Sequence, residues 1–127
     1  MSVSIDRDRR VATVRLTGTL QATDIKDAFS AMVAHPDFEP GFNSLWDLRG
    51  ASAARLDFEA LRDVVRAAAS KKDARGAGKV AVVVAHDVDY GVSRIYEMLA
   101  SGLPTVVNVF RRLEEAEAWF QTPLTES

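Results

Sequence analysis

A chain of 127 residues is one domain by the usual ~100–200 residues per domain, and it is long enough to bury a proper core. Hydrophobic residues at 47% and charged residues at 27% exclude a disordered chain, and the lack of any apolar run near ~18–20 residues excludes a membrane span. A net charge of −2 and a pI of about 5.7 give no general electrostatic case for nucleic acid.

Cysteine is absent, which rules out a disulfide scaffold, thiol chemistry and cysteine metal sites. No apolar stretch follows the charges of the first residues, MSVSIDRDRR, so no secretory signal and a cytoplasmic location are expected. The arginine- and alanine-rich composition suggests a GC-rich bacterial genome.

Ser2 to Asp6 is a short strand, and Arg7-Asp8-Arg9 is a tight turn. From Arg10 to Thr17, Val11, Thr13, Arg15 and Thr17 alternate with Ala12, Val14 and Leu16; a period of two marks a half-buried strand hairpinned with the first. Gly18 ends it. Thr23 or Asp24 is expected to cap a helix whose apolar stripe is Ile25, Ala28, Phe29, Met32 and Val33. His35-Pro36 stops that helix.

Pro40-Gly41 signals a loop, and Asn43 to Arg49 the next strand, with Leu45, Asp47 and Arg49 on one face and Trp46 and Leu48 on the other. Asp57 caps a second helix carrying Phe58, Leu61, Val64, Val65 and Ala68, and Ala74 to Gly78 is a loop. The continuous β-branched run from Lys79 to Ala85 belongs inside a sheet, covered on both faces. Asp87 or Asp89 then caps a helix with Val92, Ile95, Tyr96 and Leu99, closed by Gly102 and Pro104. Thr105 to Phe110 is a strand and Leu113 to Phe120 a last helix.

The order β-β-α-β-α-β-α-β-α predicts an α/β domain over residues 1–127: a five-stranded, mostly parallel mixed sheet with four helices and right-handed crossovers. Four stretches, GTLQA at Gly18 to Ala22, NSLWDLR at Asn43 to Arg49, YGVSRIYE at Tyr90 to Glu97 and VFRRLEEAEAWF at Val109 to Phe120, resemble the SpoIIAA-like family. That family is a branch of the STAS superfamily, often labelled STAS/SEC14-type. The resemblance implies the same five-stranded mixed sheet with four helices, and its SEC14-type side implies lipid or apolar-ligand binding. STAS antagonists carry a phosphorylatable serine in an Asp-Ser motif after the central strand. Here that region reads GASAARLDFEAL, with Ser52 as its one hydroxyl residue, so the pair needed for a phosphoswitch is missing.

Ligands of open α/β sheets sit outside the carboxyl ends of the strands. Those ends carry Arg49, His86 with Asp87, and Arg111 with Arg112, a set suited to a small anion or polar headgroup. Asp47, mid-strand, needs a partner if buried, and Arg49 on the same face or Arg94 from elsewhere would serve. Tyr90, Arg94 and Glu97 share a helix face. The tentative ligand-binding set is therefore Asp47, Arg49, His86, Tyr90, Arg94 and Arg111. Phe38, Phe42, Trp46, Phe58, Tyr96, Met98 and Trp119 are candidates for an apolar groove as well as for the core.

Two isolated histidines, His35 and His86, make no metal frame, and no nucleophile elbow, phosphate loop or dinucleotide fingerprint occurs. The expected function is thus a non-catalytic binding or regulatory module, without cofactor or metal, for a protein partner or a small apolar or anionic, lipid-like ligand. The rival is a small hydrolase or transferase using Asp47, His86 and Tyr90. Crossovers of one hand wind helices onto one sheet face, so a two-fold homodimer is expected to cover the other unless the winding reverses.

Overall fold

Alternating side chains and a short polar link fold the N-terminus back on itself. In the computed structural model, which describes residues 1–123, strand β1 (Ser2–Asp6) pairs antiparallel with β2 (Val11–Thr19). Arg9 N–H donates to Asp6 Oδ1 at 3.1 Å within the turn, and Arg10 takes a left-handed conformation at its end. Helix α1 (Ala22–Ala34) leads to β3 (Asn43–Ser52), α2 (Phe58–Ser70) and a single turn α3 (Lys72–Arg75); then follow β4 (Gly78–Val83), α4 (Asp87–Leu99), β5 (Thr105–Phe110) and α5 (Leu113–Phe120). The strands lie in chain order, β1-β2-β3-β4-β5, and every pair after the hairpin is parallel. The expected sheet is found, with the Lys79 to Ala85 run internal, although β4 itself ends at Val83, two residues earlier than expected.

Helices α1, α2 and α4 share one face of the sheet. Ala12, Val14 and Leu16 of β2, Trp46 and Leu48 of β3, and Val82 and Val84 from β4 onward form the main core there, against Ala28, Met32 and Leu61. Residues of the opposite parity, Val11, Leu45, Ala81 and Val83, point to the other face and meet Ala116 of α5. The side chains at 45, 46 and 48 divide between the faces as their alternation requires.

The winding therefore reverses at the last helix. Each of α1, α2 and α4 lies within a crossover between parallel strands, and one hand of crossover places all three on the same side. No strand follows α5 among the described residues, so that rule does not bind it. It covers β4 and β5 on the second face, while the rest of that face presents Ser2, Ser4, Thr13, Arg15 and Thr17. The ground for expecting a homodimer, a bare apolar sheet face, is thus removed.

Several local readings need correction. Gln21, not Thr23 or Asp24, occupies the N-cap of α1, and its N–H donates to Asp24 Oδ2 at 2.8 Å. Asp57 does cap α2, accepting from Ala60 N–H at 2.8 Å. His86 stands at the cap of α4. Asp89 is drawn away from that role, because its Oδ1 accepts from Ala53 N–H at 2.7 Å and ties the β3-α2 loop to α4. The loop expected from Ala74 begins instead with α3, a fifth helix continuing from α2. Phe58 is 53% exposed beneath the Arg62 guanidinium rather than part of the packed stripe.

Candidate functional site

Asp47 sits on the second face of β3, buried at 4% exposure. A register shift between Arg15 and Thr17 leaves one extra residue in β3 opposite β2, and such a bulge re-aims neighbouring side chains. Arg49 grips Asp47 with two parallel bonds, Nε to Oδ1 and Nη2 to Oδ2, both 2.9 Å. Arg15, across the strand pair, donates from Nε to Oδ2 at 3.2 Å. The Arg49 side-chain bonds hold the Asp47 carboxyl at about 2, below its ordinary 3.8, against the upward pull of burial, with smaller help from the Arg49 backbone and Arg15. The same pairing raises the Arg49 guanidinium. Of the two partners expected from sequence, Arg49 is used and Arg94 is not; Arg15, 32 residues away in the chain, was not anticipated.

The other site residues gather at the start of α4 and the end of β5. Arg111 pairs with Asp87 at 2.6 Å and lays its guanidinium 4.6 Å from the centre of the Tyr90 ring. Arg94 reaches the Tyr90 hydroxyl at 3.5 Å and the Glu97 carboxylate at 3.2 Å, and the tyrosine contact is the main cause that raises its guanidinium. His86 is exposed beside them, and Tyr90 packs against the main core. The six residues thus fall into two groups. Asp47 and Arg49 lie on the α5 face, whereas Tyr90 and Arg94 belong to a helix packed on the opposite face. Both groups are internally paired, and each leaves its arginines partly in water.

A third feature was not anticipated. Between the sheet and helices α1, α2 and α4 lies a cavity of about 90 Å3, walled mainly by Leu48, Leu56, Leu61, Val64, Val82 and Val92. Arg75, at 3% exposure, lines it together with Ser44, Trp46 and Tyr96. The Arg75 guanidinium donates to Phe42 O at 2.7 Å and to Ser44 Oγ at 3.2 Å, and lies 5.7 Å from the centre of the Phe38 ring. Trp46 Nε1 donates to the same serine oxygen at 3.2 Å. Burial pushes Arg75 down to about 10 and Tyr96 up to about 12, and the two groups partly oppose each shift through their mutual field.

Backbone packing seats Arg75. Gly76 has φ +70°, and a Cβ there would lie 2.5 Å from Gly41 N, so glycine alone lets the α3 turn close against the Pro40-Gly41 loop. Gly41 N–H donates back to Arg75 O at 2.9 Å. The one sequence signal was an arginine directly before a Gly-x-Gly turn that enters an internal strand.

The seven aromatic and methionine candidates do not form one groove. Trp46 and Tyr96 line the cavity; Phe38 and Phe42 are core, packed edge to face with ring centres 5.8 Å apart; Phe58 and Met98 face solvent, Met98 at 68% exposure. Trp119 lies on the other face, against Phe110 and Phe120.

No family model and no curated protein matches this chain. A solved structure does: an uncharacterized protein of the DUF3478 family with a SpoIIAA-like fold, from Shewanella loihica PV-4, is similar over 94% of this chain and 92% of its own, at 15% identity and a TM-score of 0.58. The order of strands, the single antiparallel hairpin and this superposition together establish a SpoIIAA-like fold for the chain.

Proposed function

We propose that the protein is a non-catalytic binding module that holds a small, largely apolar ligand between its sheet and helices α1, α2 and α4. The observation that carries this reading is the cavity of about 90 Å3 among packed helices, because interiors are normally filled and voids larger than a water are few. Most of the lining is apolar, with leucine and valine prominent, which favours a largely apolar guest. The rival enzymatic reading lacks a convergent set. Asp47 is tied to two guanidinium groups and held at about 2, which makes it a poor base near neutral pH. It also lies on the sheet face opposite Tyr90, and His86 makes no side-chain hydrogen bond among the described residues.

Native mass spectrometry of protein isolated from its own host tests the reading. A bound molecule is expected, and Val64→Phe, which fills the cavity, should release it. Protein that arrives bare and shows no NMR shifts at the cavity with 1-butanol would overturn the proposal.

A further inference from the structure

Resting on that reading of the cavity, we infer that its ligand is a carboxylate with a short apolar tail, the carboxylate pairing with Arg75. A buried charge is costly unless it is paired and hydrogen-bonded. Six arginines reach a carboxylate: Arg15 and Arg49 share Asp47, Arg94 has Glu97, Arg111 has Asp87, and Arg7 and Arg62 have exposed partners; Arg9, Arg10, Arg55, Arg66 and Arg112 lack one but stand in water. Arg75 is the most deeply buried of the arginines, yet among the described residues no carboxylate lies within ion-pair distance of it. Its hydrogen-bond partners are a carbonyl and a hydroxyl, both neutral, and they occupy two of the five guanidinium N–H donors.

The placement of the group completes the argument. Ser44 Oγ, which the guanidinium touches, lies on the cavity side of β3, where Trp46 also reaches it. Tyr96 lines the same space, and its hydroxyl makes no hydrogen bond among the described residues. A planar guanidinium presents its donors as a fork that matches a carboxylate with two parallel bonds, and a tyrosine hydroxyl adds a third donor. One unpaired cation calls for one negative charge, hence a carboxylate rather than a dianionic phosphate. The volume limits the tail, since about 90 Å3 is smaller than the ~150 Å3 cavity known to take benzene. A chain of a few carbons fits, and a longer one requires α2 and α4 to part.

NMR titration of the intact protein with butanoate, 1-butanol, butylamine and butyl phosphate tests this directly. Butanoate should bind about tenfold or more tighter than the alcohol, in keeping with the strength of charged hydrogen bonds, and the amine should be weakest. The Arg75 Nε resonance should move with butanoate and stay still with butanol. In Arg75→Met, which keeps the length of the stem, the acid should lose its advantage while the alcohol still binds. Equal binding of acid and alcohol to the natural protein would overturn the headgroup assignment and leave the apolar cavity standing. Tighter binding of butyl phosphate would overturn the carboxylate. Failure of all four to bind would overturn the cavity reading itself. Because the ligand series on the unaltered chain decides the matter, the test does not depend on the variant folding.

Discussion

The two faces of the sheet treat arginine in opposite ways. On the α5 face, Arg15 and Arg49 reach their shared carboxylate at the edge of water, and the cluster is complete without a ligand. On the face of α1, α2 and α4, Arg75 is withdrawn from water with only neutral partners beside an apolar cavity. Desolvation is the dominant influence on the second and pairing on the first, as the opposite shifts of Arg75 and Arg49 record. A charge cluster at strand ends is thus the more visible feature in sequence, and the lone buried cation is the more demanding one in energy.

The largest expected effect separates the two cores. Phe42→Ala, at a fully buried side chain of the main core, should cost ~3–5 kcal/mol in denaturant unfolding. Phe120→Ala, at a half-buried side chain of α5 itself, should cost less than half as much. Equal losses would mean that the α5 face contributes as much to stability as the main core.

Acid unfolding probes the paired cluster. Asp47 is depressed from 3.8 to about 2, so its contribution is fully present above pH 4 and is lost as pH falls through the folded value. With Arg15 and Arg49 partly exposed and screened, this loss is ~1–2 kcal/mol between about pH 4 and pH 2. Asp47→Asn should be less stable at pH 7 and show a correspondingly flatter acid limb. An unchanged limb in the variant would show that the pairing contributes nothing to folding.

Lys79, buried at 2% exposure, reaches Trp119 O at 2.6 Å, Thr122 Oγ1 at 2.8 Å and Thr122 O, and its ammonium lies over the Trp119 ring. It secures the end of α5 to the sheet. Lys79→Met should cost ~1–2 kcal/mol and speed hydrogen exchange in α5 while leaving α1 and α2 protected. Uniform acceleration across all helices would contradict an independent α5 face.

The smallest effect concerns the solvent side of α4. Gly91 lies in α4 with nothing within 4 Å of where a Cβ would stand. Gly91→Ala should stabilise by ~0.5–1 kcal/mol, measured by thermal unfolding, without altering butanoate binding. A destabilised variant would show that α4 needs the glycine for a reason other than space.

Much of the architecture was already written locally. The period of two in β2, the β-branched run of β4 and the aspartate at Asp57 depend on neighbours a few residues away, so alternation and capping reveal them. The pairing of Asp47 with Arg49 was equally legible, because residues two apart in a strand share a face. Arg15 joined them only through strand pairing, and Asp89 left its helix cap for Ala53 N–H, 36 residues distant. The side chosen by α5 was decided by tertiary packing, since no returning strand constrains it within the described chain. Arg75 is the clearest case. Sequence shows an arginine after two lysines and an aspartate, the pattern of a solvated helix end. Its burial follows from Gly76 closing on the Pro40-Gly41 loop, which draws the guanidinium under Phe38 and toward Ser44. Local periodicity determines which residues form strands and helices; only the meeting of distant segments determines which charge loses its water.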